Sequence, residues 1–369
     1  MKEREDHAAC LFQPFGRVTP KPAEEFDHGL RVGVCDEKLA ADAPKDTPMP
    51  LIENSSYCAP SWLPGGHTQT IFPALFRKLP RVTTRAERLE LPDGDFLDLE
   101  WADQGRSRLA ILSHGLEAHS GTEYIQGMAA ALIRHGWDVL VWNFRGCGDE
   151  PNRLLRMYHS GATEDLEAVV SHALATHHAT SIDLIGFSLG GNLVLKYLGE
   201  YPAALSARLH RAVVFSVPCD LACSSRTLSK HSNKLYMERF LINMRAKIRV
   251  KKRMFPDLLN LSGLNRIRTF QEFDDRFTAP IHGFRDAADY WERNSSRQFL
   301  PGISLPTLLV SAENDPFLGP DCYPRDEAAA SESFYFEAPK TGGHVGFPPR
   351  GRVIEYWSES RSIDFLSDG

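Results

Sequence analysis

Short runs of consecutive apolar residues recur along the chain after Arg85, separated by segments with helical periodicity. The first two runs flank the sequence PDGD, in which proline and glycine favour a tight reversal, so they predict an antiparallel hairpin. Six later runs have the length and the continuous apolar character of buried strands. The predicted strands span residues 87–91, 96–101, 108–113, 138–144, 182–187, 212–217, 307–311 and 333–338.

Two windows between the predicted strands carry apolar residues on one helical face, at the i, i+3, i+4, i+7, i+8 spacing of an amphipathic helix. The first stripe comprises Ile125, Met128, Ala129, Leu132 and Ile133, and Gly136 ends the run. The second stripe comprises Leu166, Val169, Val170, Ala173 and Leu174. Strands and helices that alternate in this way predict an α/β fold, in which helices flank both faces of a mostly parallel sheet.

Two parts of the chain depart from this alternation. Residues 220–296 are helical and charged, with KLYMERFLINMRAKIRVKKRMF at their centre. An insertion of this size between two core strands predicts a helical cap over the carboxyl edge of the sheet. The first 48 residues combine charges of both signs with five prolines and show no sustained periodicity. We expect residues 1–48 to form a flexible extension and residues 49–369 to form the globular domain.

Composition narrows the classes of function. The chain has 369 residues, of which 42% are hydrophobic, and a net charge of −6, which gives no reason to expect nucleic acid as a partner. No stretch approaches the roughly 18 consecutive apolar residues of a membrane span. The N-terminus lacks the layout of a secretory signal, so we expect a cytoplasmic protein.

Neither a metal nor a cofactor is predicted. The seven cysteines form no CxxC pair, which argues against a zinc site and, with their odd number, against a disulfide framework. The adjacent histidines at positions 177 and 178 lack ligand spacing suited to zinc. A Walker loop and a GxGxxG sequence that opens a helix are both missing from the sequence, so no nucleotide cofactor is expected.

Ser188 lies at the centre of GFSLGG, a GxSxG sequence that follows a predicted strand and precedes a predicted helix. Strand, turn and helix in this order are typical of the nucleophile elbow, in which a sharp turn exposes the serine hydroxyl at the sheet edge. Gly186 and Gly190 lack the side chains that would obstruct such a turn. The alternative is a glycine-rich turn with a serine that faces solvent.

A nucleophilic serine needs a base that takes its proton and an acid that orients the base. Asp315 follows the predicted strand 307–311, and His344 follows the last predicted strand, in the loop KTGGHVGF. Serine, acid and histidine in this chain order are typical of the same architecture. We therefore predict Asp315 as the acid, with Glu313 as a neighbouring competitor, and His344 as the base. Turn chemistry at the Asp-Pro pair and an ordinary loop histidine are the alternatives.

Two backbone amides are predicted to bind the oxyanion of a tetrahedral intermediate. One belongs to Leu189, the residue after the nucleophile. The other is assigned to Leu116, which follows His114 and Gly115 in LSHGLEAHSG, after a predicted strand. The alternative is that this His-Gly pair only forms a turn.

Several motifs together resemble the YheT-like branch of the α/β-hydrolase superfamily. In chain order they are PSWLPGGHTQTIFPALFRK, HGLEAHSG, NFRGCGDEPNR, YHSGATEDL, GFSLGGN and FDDRFTAPIHGF. The branch includes bacterial hydrolases or esterases, the eukaryotic ABHD1, ABHD2 and ABHD3 enzymes, and yeast medium-chain ethyl ester enzymes. The resemblance covers residues 49–369 and implies an α/β-hydrolase fold and a serine hydrolase or acyltransferase that acts on carboxylic esters, often of lipid type. It assigns the nucleophile, acid and base to the same residues, Ser188, Asp315 and His344.

Three arginines in this region have no assigned chemistry. Two of them, Arg145 and Arg153, lie in NFRGCGDEPNR, and Arg156 lies just before YHSGATEDL. Glycines in the first of the two motifs suit a loop that approaches the active site. Salt bridges between loops are the favoured interpretation of the arginines, and substrate binding is the alternative.

We predict a carboxylic ester hydrolase of the EC 3.1.1 type that acts on small-molecule or lipid esters through a Ser-His-Asp triad and an acyl-enzyme. Transfer of the acyl group to an alcohol would use the same residues and stays open. An alternative from another class of function is peripheral binding to a lipid surface. Residues 239–253 support it, because they form a basic amphipathic segment. The favoured interpretation of this segment is a cap helix with solvated charges. No oligomeric state is predicted.

Overall fold

The structure is a computed structural model that describes residues 50–79, 81–351 and 353–368. Its strands are β1 (Leu51–Ile52), β2 (Arg85–Glu90), β3 (Phe96–Ala102), β4 (Arg108–Ser113), β5 (Asp138–Asn143), β6 (Ser181–Phe187), β7 (Leu209–Phe215), β8 (Thr307–Val310) and β9 (Phe334–Glu337). Its α-helices are α1 (Gly66–Phe76), α2 (Glu123–Arg134), α3 (Thr163–Thr176), α4 (Leu189–Glu200), α5 (Leu221–Leu228), α6 (Lys234–Met254), α7 (Phe270–Phe273), α8 (Ala279–His282), α9 (Ala287–Asn294), α10 (Arg325–Ala329) and α11 (Trp357–Ser367). The flexible extension predicted for residues 1–48 lies outside the described residues.

The strands form one sheet in the order β1-β9-β8-β7-β6-β4-β5-β3-β2. β3 pairs antiparallel with β2 and with β5, and all other neighbours pair in parallel. In the PDGD turn, the Leu91 N–H donates to the Asp95 carbonyl at 2.8 Å, and Gly94 adopts φ +85°. The predicted α/β fold, its hairpin and all eight predicted strands are confirmed. The two-residue β1 is not predicted, because it is too short for a periodic signal.

The helices α2 and α3 pack on the sheet through the predicted apolar stripes. The buried members are Ile125, Met128, Ala129 and Leu132 on α2, and Leu166, Val169, Val170 and Ala173 on α3. Gly136 ends α2 in a left-handed conformation with φ +91°. The next N–H, that of Trp137, donates to the Leu132 carbonyl at 3.0 Å and closes a Schellman motif.

The segment between β7 and β8 contains α5 to α9, in the part of the chain where the sequence predicts a cap. These helices share an apolar cluster of their own, which includes Leu241, Ile248, Phe273 and Phe277. Burial of each such side chain contributes about 1.5–3 kcal/mol, so the segment has a core separate from the two clusters on the faces of the sheet. Within the described ranges, no helix has both the length and the apolar character needed to cross a membrane.

Candidate active site

Ser188 occupies the sharp turn between β6 and α4. Its φ of +52° lies in a region that costs a residue with a side chain about 1–3 kcal/mol. The Phe215 carbonyl accepts its N–H at 2.8 Å and helps to hold the turn. Close packing requires the flanking glycines, because a Cβ at Gly186 would lie 2.7 Å from the Gly190 carbonyl oxygen, and one at Gly190 would lie 2.4 Å from two carbonyl oxygens at the end of β4. The turn therefore presents the hydroxyl at the carboxyl edge of the sheet.

His344 lies between the Ser188 hydroxyl and the Asp315 carboxylate. Its Nε2 is 3.0 Å from Ser188 Oγ, and its Nδ1 is 2.8 Å from Asp315 Oδ2 and 3.1 Å from Oδ1. Because Nδ1 faces a carboxylate, the imidazole carries its proton there and leaves Nε2 free to accept the serine proton. Phe317 covers the imidazole, with 4.1 Å between the ring centroids. The structure thus brings the three predicted residues into one chain of hydrogen bonds.

Asp315 and Glu313, the two candidates for the acid, have different surroundings. The Asp315 side chain is fully buried, and its Oδ1 also accepts the Phe317 N–H at 2.8 Å. Glu313 instead pairs with Arg325 at 2.7 Å, with nearly half of each side chain exposed. Of the two acids, only Asp315 reaches the imidazole.

The Leu116 amide is an unpaired donor in the loop beside Ser188. Its N–H has no acceptor among the described residues, although the amides on either side are bound. The Gly115 N–H donates to the Tyr124 hydroxyl at 2.8 Å, and the Glu117 N–H donates to the Tyr158 hydroxyl at 3.1 Å. The two tyrosines therefore fix the loop on both sides of the Leu116 amide.

The Leu189 amide is a second donor with no acceptor in the described part of the chain. Leu189 is the first residue of α4, so its N–H has no acceptor within the helix. The start of α4 lies against the preceding loop, since a Cβ at Gly190 would be 2.4 Å from the His114 carbonyl oxygen. A Cβ at Gly115 would be 3.4 Å from the Cβ of Ser188. Leu116 and Leu189 line the same pocket, next to the serine and the histidine.

His114 is a structural residue of the same loop. It is completely buried, and burial lowers its pKa to about 3. Its Nδ1 donates to the Gly115 carbonyl at 2.8 Å, and its Nε2 accepts the Phe144 N–H at 3.2 Å. The imidazole is therefore neutral and uses both nitrogens within the protein.

Side chains near the start of α1 hold the loop that carries His344. Thr70 Oγ1 accepts the His344 backbone N–H, and Gln69 Oε1 accepts the Gly342 N–H, both at 2.8 Å. Gln69 is 1% exposed and also accepts a hydrogen bond at 3.0 Å from Asn314, the residue before the acid. The loops that carry Asp315 and His344 are thus joined through α1. Sequence analysis assigned no role to these residues, and the HTQT sequence in the first motif is the signal that marks them.

A pocket opens between Ser188, His344 and the cap helices. Its cavity volume is about 120 Å³. Its walls are mostly apolar, and cap residues that contribute to them include Leu221, Phe240, Met244, Phe273 and Trp291. Such walls suit an ester with a long apolar part.

One ion pair interrupts the apolar wall. Lys247 Nζ lies 3.0 Å from Glu117 Oε1, and the Tyr158 hydroxyl donates to the same oxygen at 2.5 Å. Lys247 Nζ is also 3.0 Å from Cys147 Sγ. Burial acts to lower the pKa of Lys247, but Cys147 and Glu117 outweigh this effect and raise it. The pair links α6 of the cap to the loop that carries the Leu116 amide.

Most basic residues of α6 bind groups of the protein itself. Arg245 donates to the Ile267 carbonyl at 2.7 Å, and Lys251 donates to the carbonyls of Asn152 and Leu154 at 2.6 and 2.5 Å. The expectation of solvated charges is therefore wrong for Arg245 and Lys251, because buried carbonyl groups facing the helix need donors. Further contacts join Arg249 to Asn265 and Lys252 to Leu259. Arg239 and Arg253 are exposed.

The three motif arginines connect loops through salt bridges, which confirms the favoured interpretation. The pairs are Arg145 with Asp93, Asp95 and Asp165, Arg153 with Glu90, and Arg156 with Glu164. Arg145 is buried, and its guanidinium forms two hydrogen bonds with Asp165, at 2.7 and 2.8 Å. None of the three arginines is among the residues that line the pocket.

Asp103, Asp138 and His177 form a cluster at the opposite edge of the sheet, where β5 begins. His177 Nδ1 accepts the Ala179 N–H at 3.0 Å, so the ring proton resides on Nε2. That nitrogen lies 3.2 Å from Asp138 Oδ2 and donates to it. With both nitrogens engaged, the imidazole has no free lone pair for a metal.

Comparisons with known proteins agree with one another. Residues 111–349 match the family described as alpha/beta hydrolase fold. Over 311 residues the chain is 37% identical to YheT of Escherichia coli, an inferred esterase, and the match covers 82% of this chain and 90% of YheT. Over 306 residues it is 28% identical to the phospholipase ABHD3 of Mus musculus, covering 80% of this chain and 74% of that protein. A solved structure of the Pyrococcus furiosus esterase Pf2001 is 19% identical, with a TM-score of 0.51, and covers 78% of this chain and 95% of its own, which shows a shared fold.

Proposed function

The chain belongs to the YheT-like branch of the α/β-hydrolase family, and from this premise we propose that it cleaves carboxylic esters through Ser188, His344 and Asp315. Its relatives are an inferred esterase and a phospholipase, so it is a carboxylic ester hydrolase of the EC 3.1.1 type. The observation that carries the proposed mechanism is the 3.0 Å contact between His344 Nε2 and Ser188 Oγ, with the buried Asp315 carboxylate on the other ring nitrogen.

Acylation would begin when His344 Nε2 takes the Ser188 proton and Oγ attacks the ester carbonyl carbon. The negative charge of Asp315 stabilises the imidazolium that forms. The carbonyl oxygen becomes an oxyanion, to which the Leu116 and Leu189 amides donate. Loss of one such donor costs roughly 3–4 kcal/mol of transition-state stabilisation. The imidazolium then gives its proton to the leaving alkoxide, and the alcohol departs from the acyl-enzyme.

Deacylation would use the same groups with water as the nucleophile. His344 takes a proton from water, and the resulting hydroxide attacks the acyl carbonyl carbon. The same two amides bind the second oxyanion, and its collapse expels the Ser188 oxygen, which recovers its proton from His344. One ester and one water thus give one carboxylic acid and one alcohol. An alcohol in place of water would yield a new ester, so product analysis with added ethanol separates hydrolysis from acyl transfer.

Ser188→Ala tests the proposed nucleophile. We expect kcat for 4-nitrophenyl octanoate to fall on the order of 10⁴-fold or more, because the nucleophilic oxygen is gone while the oxyanion donors remain. Ser171→Ala is a matched control, since Ser171 is exposed on α3, donates to the Glu167 carboxylate and does not line the pocket. Unchanged turnover in the Ser188→Ala enzyme would rule out the triad mechanism.

A further inference from the structure

His159 presents a polar group to the pocket that the triad mechanism does not use. It belongs to the YHSG motif and lines the pocket wall. Its Nδ1 accepts the Gly161 N–H at 3.2 Å. Its Nε2 has no hydrogen-bond partner among the described residues. Because Nδ1 is an acceptor, the neutral ring carries its proton on Nε2, which makes that nitrogen an unused donor in the pocket.

The ring is neutral rather than cationic. Burial holds the pKa of His159 well below its usual value, and His282 and Arg156 lower it further. A neutral N–H brings no positive charge, so an anionic oxygen would lose its hydration in this mostly apolar pocket without a countercharge from His159. The group it selects is therefore an uncharged oxygen, such as a hydroxyl or an ether.

The segment around His159 is fixed before any substrate binds. His282 Nε2 accepts the Met157 N–H at 3.2 Å, and the Tyr290 hydroxyl accepts the Ser160 N–H at 2.9 Å. The His159 ring packs against those of His282 and Tyr290, with centroids 4.7 and 6.0 Å away. A donor held in place from both sides loses little conformational entropy when it binds an acceptor.

We propose that His159 is a specificity-determining residue that donates a hydrogen bond to an uncharged oxygen of the substrate, remote from the ester that is cleaved. This subsite rests on the proposed function, because it lies in the pocket of the same catalytic serine. When a purely alkyl chain fills the pocket, the His159 N–H is shielded from water without an acceptor. That loss penalises alkyl substrates relative to those that carry the oxygen.

The oxygen could belong to the alcohol part of the ester or to its acyl chain, so two pairs of substrates are needed. The first pair is 1-octanoylglycerol and pentyl octanoate, whose alcohol parts have the same number of heavy atoms. The second pair is 4-nitrophenyl 8-hydroxyoctanoate and 4-nitrophenyl nonanoate, which match in the acyl chain. The measured quantity is the ratio of kcat/KM for the oxygenated ester to that for its alkyl partner.

Two substitutions remove the donor in different ways. His159→Phe keeps an aromatic ring but loses both nitrogens. His159→Asn retains an acceptor for the Gly161 N–H, in the manner of an Asx turn, but its shorter side chain has no donor at the Nε2 position. His178→Asn makes the same chemical change at an exposed histidine outside the pocket and serves as the control.

In both His159 variants we expect the kcat/KM ratio to fall roughly 3- to 10-fold for one of the two pairs, and to stay unchanged in His178→Asn. The pair that responds identifies the part of the substrate that carries the oxygen. An unchanged ratio in both pairs, or an equal loss for oxygenated and alkyl esters, would overturn the proposal. Labelling of the wild-type protein by a fluorophosphonate is measured in parallel, because its failure would count against the proposed nucleophile rather than against this subsite.

Discussion

At the scale of single residues, burial and neighbours assign different roles to two acids of the same loop. Asp315 has a fully buried side chain on the imidazole, whereas Glu313 lies at the surface with Arg325. A buried carboxylate next to a ring N–H fixes the tautomer and stabilises the imidazolium. A half-exposed salt bridge of the Glu313 kind contributes between about 0 and 1 kcal/mol.

Replacement of each acid by its amide separates these roles. Asp315→Asn should lower kcat about 10⁴-fold, because asparagine supplies no charge and can donate to Nδ1, which moves the ring proton to the nitrogen that must act as base. Glu313→Gln, the matched change two residues away, should leave kcat within about twofold. Steady-state kinetics with one ester measures both variants. A larger loss in Glu313→Gln than in Asp315→Asn would reverse the assignment of the acid.

The Tyr158 hydroxyl acts on the proposed oxyanion site through its neighbour. It donates to the Glu117 carboxylate and accepts the Glu117 N–H, and so fixes the residue that follows Leu116. Glu117 adopts φ +54°, a conformation that needs such support.

Tyr158→Phe should therefore lower kcat about tenfold with little change in KM, since the amide of Leu116 would be less well placed in the transition state. Tyr201→Phe is the control, because Tyr201 is 68% exposed. Separate values of kcat and KM are the readout. A rise in KM at constant kcat would show that Tyr158 serves substrate binding instead.

At the scale of elements, a single π-helical turn, Asp274–Thr278, joins α7 to α8 in the cap. Its first residue, Asp274, accepts hydrogen bonds from Thr278 Oγ1 at 2.6 Å and from Trp291 Nε1 at 2.9 Å. No basic side chain of the described residues forms a salt bridge with this carboxyl group. Burial accordingly raises the pKa of Asp274 to about 7.

This shift sets a pH dependence for the stability of the folded protein. Between about pH 4 and pH 7 the folded chain keeps a proton on Asp274 that the unfolded chain has released, so the contribution of this group to stability decreases as pH rises. Asp274→Asn should keep both hydrogen bonds, with its amide donating to Thr278, and remove the titration. The variant should thus gain stability over the wild type at pH 8, by an amount that shrinks towards pH 4.

Urea unfolding of both proteins at pH 5 and pH 8 measures this difference. The maximum effect is about 1.4 kcal/mol for each pH unit between the two pKa values. An advantage of Asp274→Asn that is as large at pH 5 as at pH 8 would contradict the assigned titration, because only the titrating carboxyl group links the variant's effect to pH.

At the scale of the whole molecule, the features that the sequence predicts depend on local patterns. Apolar periodicity identifies the strands and the helices α2 and α3, and the glycines around Ser188 identify the sharp turn. Asp315 and His344 are also predictable, because the carboxyl ends of parallel strands meet at one edge.

Other features depend on contacts between residues far apart in the sequence. The bond from the Gly342 amide to Gln69 joins positions 273 residues apart, and although the HTQT motif singles out Gln69, no local pattern identifies its partner. The Lys251 side chain likewise points into the protein because the carbonyl groups of residues distant in sequence face α6 after folding. A basic helix considered on its own predicts a solvated face, whereas the folded chain uses two of those cations, Lys247 and Lys251, to attach the cap to the core.

The same long-range arrangement underlies the central claim, that Ser188 is made nucleophilic by a histidine 156 residues further along the chain. The most direct test is intact-mass analysis of the protein after reaction with a fluorophosphonate, followed by peptide mapping of the adduct. We predict one adduct per chain on the peptide that contains Ser188, none in Ser188→Ala, and much slower labelling in His344→Ala. An adduct on another residue, or labelling of Ser188→Ala at the wild-type rate, would contradict the claim.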